Sequence, residues 1–342
     1  MRLVPSEEQT ELARTAGALL HELASPALLD PEAGHLPFAA DAWASCADLG
    51  LFGLGLPAAL GGVGYGAFEQ ALVFREIARW LPPIGLLATT LAVHLAAGAG
   101  DHALLAQVLE GRLRVALGQP EVPGAVVGGG INGDLVTFGF EGADAVLVVD
   151  GSDAALIAAG ALAPGDQGNS IDPVIDVTLA SVDGATALAA SSDGAVRCRA
   201  ELLCAALLTG VAEAACDASV AYVGDRVQFD RPLGSFQAVK HRCADMAARA
   251  EVGVAATLYA ARLLDRDDDT SFQHALAARI VAADAALLNA GDNIQNHGGM
   301  GFTYEAGQHL FVRRAHVLTA MLGGQASAMH GLLDASAPLA MA

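Results

Sequence analysis

The sequence predicts a mainly α-helical protein in which a small β domain separates two helical ones. Apolar residues recur at helical spacing through residues 6–112 and again beyond residue 200. Between them, short valine-rich stretches alternate with Gly, Asp, Pro and Ser clusters, the pattern of strands joined by tight turns. Neither an internal repeat nor a low-complexity tail interrupts this order. The expected domains are an N-terminal helical domain over 1–112, a middle β domain over 113–199 and a C-terminal helical domain over 200–342.

Each element has a local reason. Ser6 caps the first helix, Glu7 and Glu8 fall in its first turn, and Leu12, Ala16, Leu19 and Leu20 share a face. A second helix includes Trp43 and Leu49. The stretch LFGLGLPAALGGVGYG then breaks helical periodicity with glycines and Pro57, and reads as a loop. Helices resume over 68–80, 86–97 and 103–110. Strands are expected at 125–127, 135–138, 145–149 and 174–177. The last helical stretch runs to about Met329, with breaks at 230–233, 265–270 and 297–302.

Composition excludes several classes. A chain of 342 residues can bury two or three cores. Its mean hydropathy of +0.44 comes chiefly from Ala, Leu, Val and Gly. The most membrane-like stretch, 81–100, opens on Pro82 and Pro83 and closes on glycines, which favours a buried helix over a span. The N-terminus has no apolar signal region, so a cytoplasmic protein is expected. Net charge is −20 and Lys240 is the only lysine, which argues against nucleic-acid binding. Five cysteines without CxxC spacing read as reduced, buried thiols, and no HExxH or zinc pattern suggests a metal.

Two strings carry the chemistry. The first is RVQFDRPLGSFQAVKHRCADM, beginning at Arg226. Arg226 and Phe229 are three apart on a helix expected to end near Pro232, so they share a face, and Gln237 opens the next helix. An arginine can pair with a pyrophosphate, an aromatic can cover an apolar ring, and a carboxamide can anchor a ribose. By spacing alone, a surface arginine and a core phenylalanine are the default reading. The second string is QNHGGMGF over residues 295–302, whose paired Gly298 and Gly299 let a phosphate or another backbone approach closely. By itself such a stretch is a common helix stop.

Together these strings resemble the C-terminal helical bundle of acyl-CoA dehydrogenases, with its pattern R-x-x-F-G-x6-Q-x6-A-D/E-M. Asp230 departs from the pattern by standing where the family prefers glycine. The N-terminal run LGLFGLGLPAALGGVGYGAFEQALVFREIARW resembles the same family's loop before a long helix. The resemblance implies an N-terminal helical domain, a middle β domain and a C-terminal four-helix bundle. It also implies FAD as cofactor, with Arg226, Phe229, Gln237, Gln295, Gly298 and Gly299 touching the dinucleotide of a flavin bound to a neighbouring subunit.

Other parts depart from the family. Where its β domain carries a T-E-P-x-x-G-S-D stretch against the flavin ring, this chain has ALGQPEVPGAVVGGG, with only Gln119-Pro120 as an echo. The usual glutamate base aligns with Leu322, which cannot accept a proton. The family's alternative position falls on Ala200, beside Glu201, so Glu201 is the candidate base, its other reading being an acid favoured at a helix N-terminus. Glu305 reads as a surface acid, and His297 and His309 as packing or hydrogen-bonding residues. The profile implies a subunit of a heteromeric acyl-CoA dehydrogenase, often α2β2. In such pairs a homologous partner supplies the flavin cradle and the base, the substrate is a bulky, possibly steroid-derived acyl-CoA, and electron-transfer flavoprotein is the acceptor. A homomeric flavoenzyme using Glu201, or a non-catalytic structural subunit, stands as the alternative.

Overall fold

The computed structural model describes residues 1–24, 38–168 and 170–335. The N-terminal domain comprises α1 (Glu7–Ala24), α2 (Ala40–Asp48), α3 (Ala67–Ile77), α4 (Gly85–Ala99) and α5 (His102–Leu109). At the start of α1, Ser6 Oγ accepts from Gln9 N at 3.2 Å while Gln9 Oε1 accepts from Ser6 N at 2.8 Å. That reciprocal pair satisfies two donors at the helix start. The apolar helix α4 is buried along most of its length, as its sequence suggests. One described helix is long and apolar enough to cross a membrane, Ala195–Asp225, and 78% of its most apolar window is buried inside the fold.

The middle domain contains β1 (Val115–Pro120), β2 (Val126–Val127), β3 (Gly130–Phe138), β4 (Ala145–Asp150), β5 (Asp153–Ala158), β6 (Ala163–Gly168), β7 (Val177–Thr186) and β8 (Ala189–Ser191). They form one sheet in the order β6-β7-β3-β1-β4-β5-β8, with β2 paired to β3. Among the described strands only β1 and β4 run parallel. The strand expected at 174–177 instead begins at Val177. Asp172 holds the preceding turn out of the sheet, accepting from Val174 N at 3.0 Å and from Arg314 Nε at 2.5 Å.

The C-terminal domain comprises α6 (Ala195–Asp225), the hairpin strands β9 (Val227–Gln228) and β10 (Arg231–Pro232), α7 (Gln237–Leu264), α8 (Ser271–His297), α9 (Gln308–Ala320) and α10 (Gly324–Ala335). It starts at Ala195, not residue 200, because Asp193 Oδ1 accepts from Ala195 N at 2.9 Å and opens the helix there. At 1.5 Å per residue the 31-residue α6 is roughly 45 Å long. It crosses α3 at Gly210, where a Cβ would stand 2.0 Å from the Arg75 carbonyl. Buried carboxamides on α8 tie the bundle together. Asn289 Nδ2 donates to the carbonyls of Ala212 (3.0 Å) and Met246 (2.9 Å). Asn293 Oδ1 accepts from Ser219 Oγ at 2.9 Å, and Asn296 Oδ1 from Arg242 Nη1 at 2.9 Å. Arg314 joins all three domains, since it also donates to the carbonyls of Pro82 (2.6 Å) and Leu81 (3.1 Å).

Candidate functional site

Helices α6 and α8 run in the same direction, so their C-terminal ends share one end of the bundle. There Tyr222 stacks on His297 with ring centroids 4.1 Å apart. Arg226, Phe229, Gln237, Gln295, Gly298 and Gly299 all lie at this end and all are exposed. The local structure around the first two differs from expectation. Helix α6 stops at Asp225, Arg226 is extended (φ −72°, ψ 116°), and residues 227–232 form a two-stranded hairpin. Arg226 and Phe229 therefore do not share a helical face. The two turn residues, Phe229 (φ 52°) and Asp230 (φ 63°), are both left-handed, as a two-residue hairpin with the sheet's natural twist requires. Such a turn favours Asn-Gly or Asp-Gly, which accounts for the strain at Asp230. It also pushes the Phe229 ring into solvent, where it is 83% exposed.

The same end presents cations. Arg226, Arg231 and Lys240 are exposed, and none forms an ion pair among the described residues. Gly298 has φ +60°, and a Cβ on Gly298 or Gly299 would meet nothing within 4 Å, so this turn is open to a close approach. Exposed Phe302 and Tyr304 lie just beyond it. Among the weighed histidines, His297 is buried with Nδ1 2.9 Å from the Asn293 carbonyl, and His309 stands edge-on to Tyr304. Glu305 is exposed.

The opposite end of the bundle meets the β domain around a cavity of about 1010 Å³. Gln119, Pro120, Val149, Phe272, Leu276 and Leu322 line it. Leu322 is 3% exposed and left-handed (φ 56°), between two positive-φ glycines and the end of α9. Its carbonyl accepts from Arg197 Nη2 at 3.0 Å, and the next N–H, of Gly323, donates to Gln119 Oε1 at 3.2 Å. The side chain of Gln119 is thus committed to holding this loop.

Glu201 stands beneath this loop at 1% exposure. Its Oε1 accepts from Arg197 Nε at 2.7 Å and its Oε2 from Arg279 Nη1 at 3.0 Å. Arg279 also reaches the carbonyls of Leu318 (2.8 Å) and Met321 (2.9 Å). Both carboxylate oxygens are therefore occupied by guanidinium donors, and the geometry gives Glu201 the role of a buried ion-pair centre that pins the α9–α10 junction. Arg279 escaped the sequence reading because its partner lies 78 residues away. No cluster of His, Cys, Asp or Glu able to hold a metal occurs among the described residues.

This geometry has known counterparts. The acyl-CoA dehydrogenase N-terminal domain model matches residues 6–114, and the C-terminal domain model matches 199–333. The chain belongs to the acyl-CoA dehydrogenase family, whose cofactor is FAD. Among its relatives, acyl-CoA dehydrogenase IpdE2 of Mycolicibacterium smegmatis is 32% identical, over 93% of this chain and 95% of that one. Acyl-CoA dehydrogenase FadE34 of Mycobacterium tuberculosis is 36% identical over 91% of this chain, which spans 44% of that longer protein. A solved variant of the Tcur3481-Tcur3483 steroid ACAD superposes with a TM-score of 0.81 at 25% identity, covering 96% of this chain and 97% of that one.

The clasp-like end fits the dinucleotide part of FAD, because free guanidinium and ammonium groups suit phosphates and the open glycine turn admits them. The cavity end offers no such group, since its one lining arginine, Arg197, is paired with Glu201.

Proposed function

We propose that this chain is a subunit of an FAD-dependent acyl-CoA dehydrogenase that acts with a homologous partner, in an α2β2 assembly. Arg226, Phe229, Gln237, Gln295, Gly298 and Gly299 hold the dinucleotide of a flavin seated in the partner. Arg226 pairs with phosphate, the Phe229 ring covers an apolar face, and the glycine turn admits the adenosine half closely. When bound, FAD accepts the substrate's β-hydrogen as hydride, and electron-transfer flavoprotein receives the electrons. The partner supplies the carboxylate that removes the α-proton and the cradle for the flavin ring. The substrate class is a bulky acyl-CoA, in keeping with the steroid ACAD among its structural neighbours.

The observation that carries this reading is the division of the chain. All six flavin-contact candidates are exposed at one end, and at the other the residue that the resemblance aligns with the family's base is Leu322, which cannot accept a proton. The test is to purify the chain with and without an adjacent homologous subunit, then record bound flavin and acyl-CoA oxidation. Flavin and turnover only in the pair support the proposal. A yellow chain that alone oxidises an acyl-CoA refutes it, and a pair that binds no flavin leaves a structural subunit instead.

A further inference from the structure

The cavity at the β-domain end is ligand-sized, yet its charge is wrong for the family's substrate carrier. Six carboxylates line it: Asp150, Asp193, Asp267, Asp268, Asp269 and Asp334. The one guanidinium among the lining residues, Arg197, is tied to Glu201 at 2.6 Å and to the Leu322 carbonyl at 3.0 Å. Among the described residues, His330 is the only other one lining it that is able to carry positive charge.

We propose that this acidic mouth is a specificity device that bars coenzyme A thioesters from the chain's own cavity. The inference rests on the proposed function, and adds that a cavity without the base also turns the anionic carrier away by charge. Coenzyme A brings a 3′-phosphate and a pyrophosphate. To seat an acyl group against Leu322, Phe272 and Leu276 it would have to lodge those phosphates among the aspartates. A cleft lined by one sign of charge, with apolar walls, focuses its field and depletes ligands of the same sign.

Two of the six carboxylates are held toward the ionised form by hydrogen bonds. A hydrogen bond from the Ala195 N–H lowers the Asp193 carboxyl below its usual range, and one from the Thr270 hydroxyl does the same for Asp268. Arg266 and His274 offset part of the charge at Asp268. Asp267, Asp269 and Asp334 form no ion pair among the described residues, and Asp267, Asp269 and Asp334 are exposed at the rim. The other end of the same bundle differs in carrying cations outside ion pairs, Arg226, Arg231 and Lys240, alongside exposed Asp225 and Asp230.

The experiment counts coenzyme A bound per pair of chains by equilibrium dialysis at low ionic strength, using the co-purified complex. The unaltered complex should bind coenzyme A at the partner's site alone. The D267N/D269N/D334N complex should gain a second class of site, with affinity at this cavity raised about tenfold or more. That gain should be largest at low salt, since exposed charges are screened over about a Debye length. These three aspartates make no helix-capping bond, and asparagine suits the left-handed Asp267 (φ 51°), so the fold should hold. A D269N/D334N complex serves as the second variant and should show a smaller gain of the same sign. Two sites per pair in the unaltered complex, or no gain in either variant, would overturn the inference. Failure of the proposed function reads out separately, as a complex that binds coenzyme A but does not dehydrogenate acyl-CoA.

Discussion

The two ends of the C-terminal bundle have the same helices and opposite chemistry. At the far ends of α6 and α8 the surface is exposed and aromatic and carries arginines and a lysine outside ion pairs, with a glycine turn and a strained hairpin. At their near ends, a buried Arg–Glu–Arg group closes the floor of a cavity whose mouth is acidic. At the first end Arg226, Arg231 and Lys240 stand outside ion pairs among the described residues. At the second, Arg197 and Arg279 are used up on Glu201. The state of pairing of the arginines, more than their number, separates a binding surface from a structural one.

The largest effect should come from the cavity end. Glu201→Ala leaves Arg197 and Arg279 buried without their shared carboxylate, and should cost about 3–5 kcal/mol in chemical denaturation. If Glu201 were instead the base, the same change would abolish turnover while leaving stability nearly intact. At the clasp end, Arg226→Ala should weaken flavin retention by the complex roughly 10–100-fold, read as FAD content after dialysis. Its effect on stability should stay within about 0.5 kcal/mol because the side chain is exposed. Asp230→Gly relieves a left-handed residue and should stabilise the chain by up to about 1 kcal/mol, with flavin content unchanged.

A smaller, pH-dependent difference should separate the ends. Asp193 and Asp268 have carboxyls held below their ordinary range in the folded chain. Their contribution is therefore fully present above that range and is lost as pH falls through the lowered values. Asp193→Asn should flatten the acid limb of the stability–pH curve. Leu322→Glu should have no effect on turnover by the chain alone, because the proposed function places the flavin cradle in the partner. Measurable acyl-CoA oxidation by that variant would erase the distinction between the two ends.

Much of the fold was legible, and the reasons are local. Glycine and proline clusters marked the loop before α3, and Asp265–Thr270 composition marked the α7–α8 turn. The clasp strings were readable because hairpin and helix-stop chemistry is written in contiguous residues. Even so, Arg226 and Phe229 read as neighbours on a helix, since α-spacing is satisfied by them whether or not the helix continues. Pro232 and the family's glycine at position 230 were the available signs of a two-residue turn. Four strands of the sheet, β1, β5, β6 and β8, went unseen; β6 and β8 carry no β-branched residue, β5 only Ile157, and Gly118 and Pro120 break up β1. The Arg279–Glu201 pair was invisible for a different reason, as nothing local announces a bond between helices so distant in the chain.

The buried carboxamides of α8 have one more consequence. Asn289, Asn293 and Asn296 each find partners in a single lengthwise setting of α6, α7 and α8. A slide by one residue would strand all three at once inside an apolar interior, where an unmet amide is costly. They act as keys in a shaft, so substitutions that drift into one extremity cannot creep along the helices and misalign the other. The register of one end of the bundle is in this way protected from changes at the other.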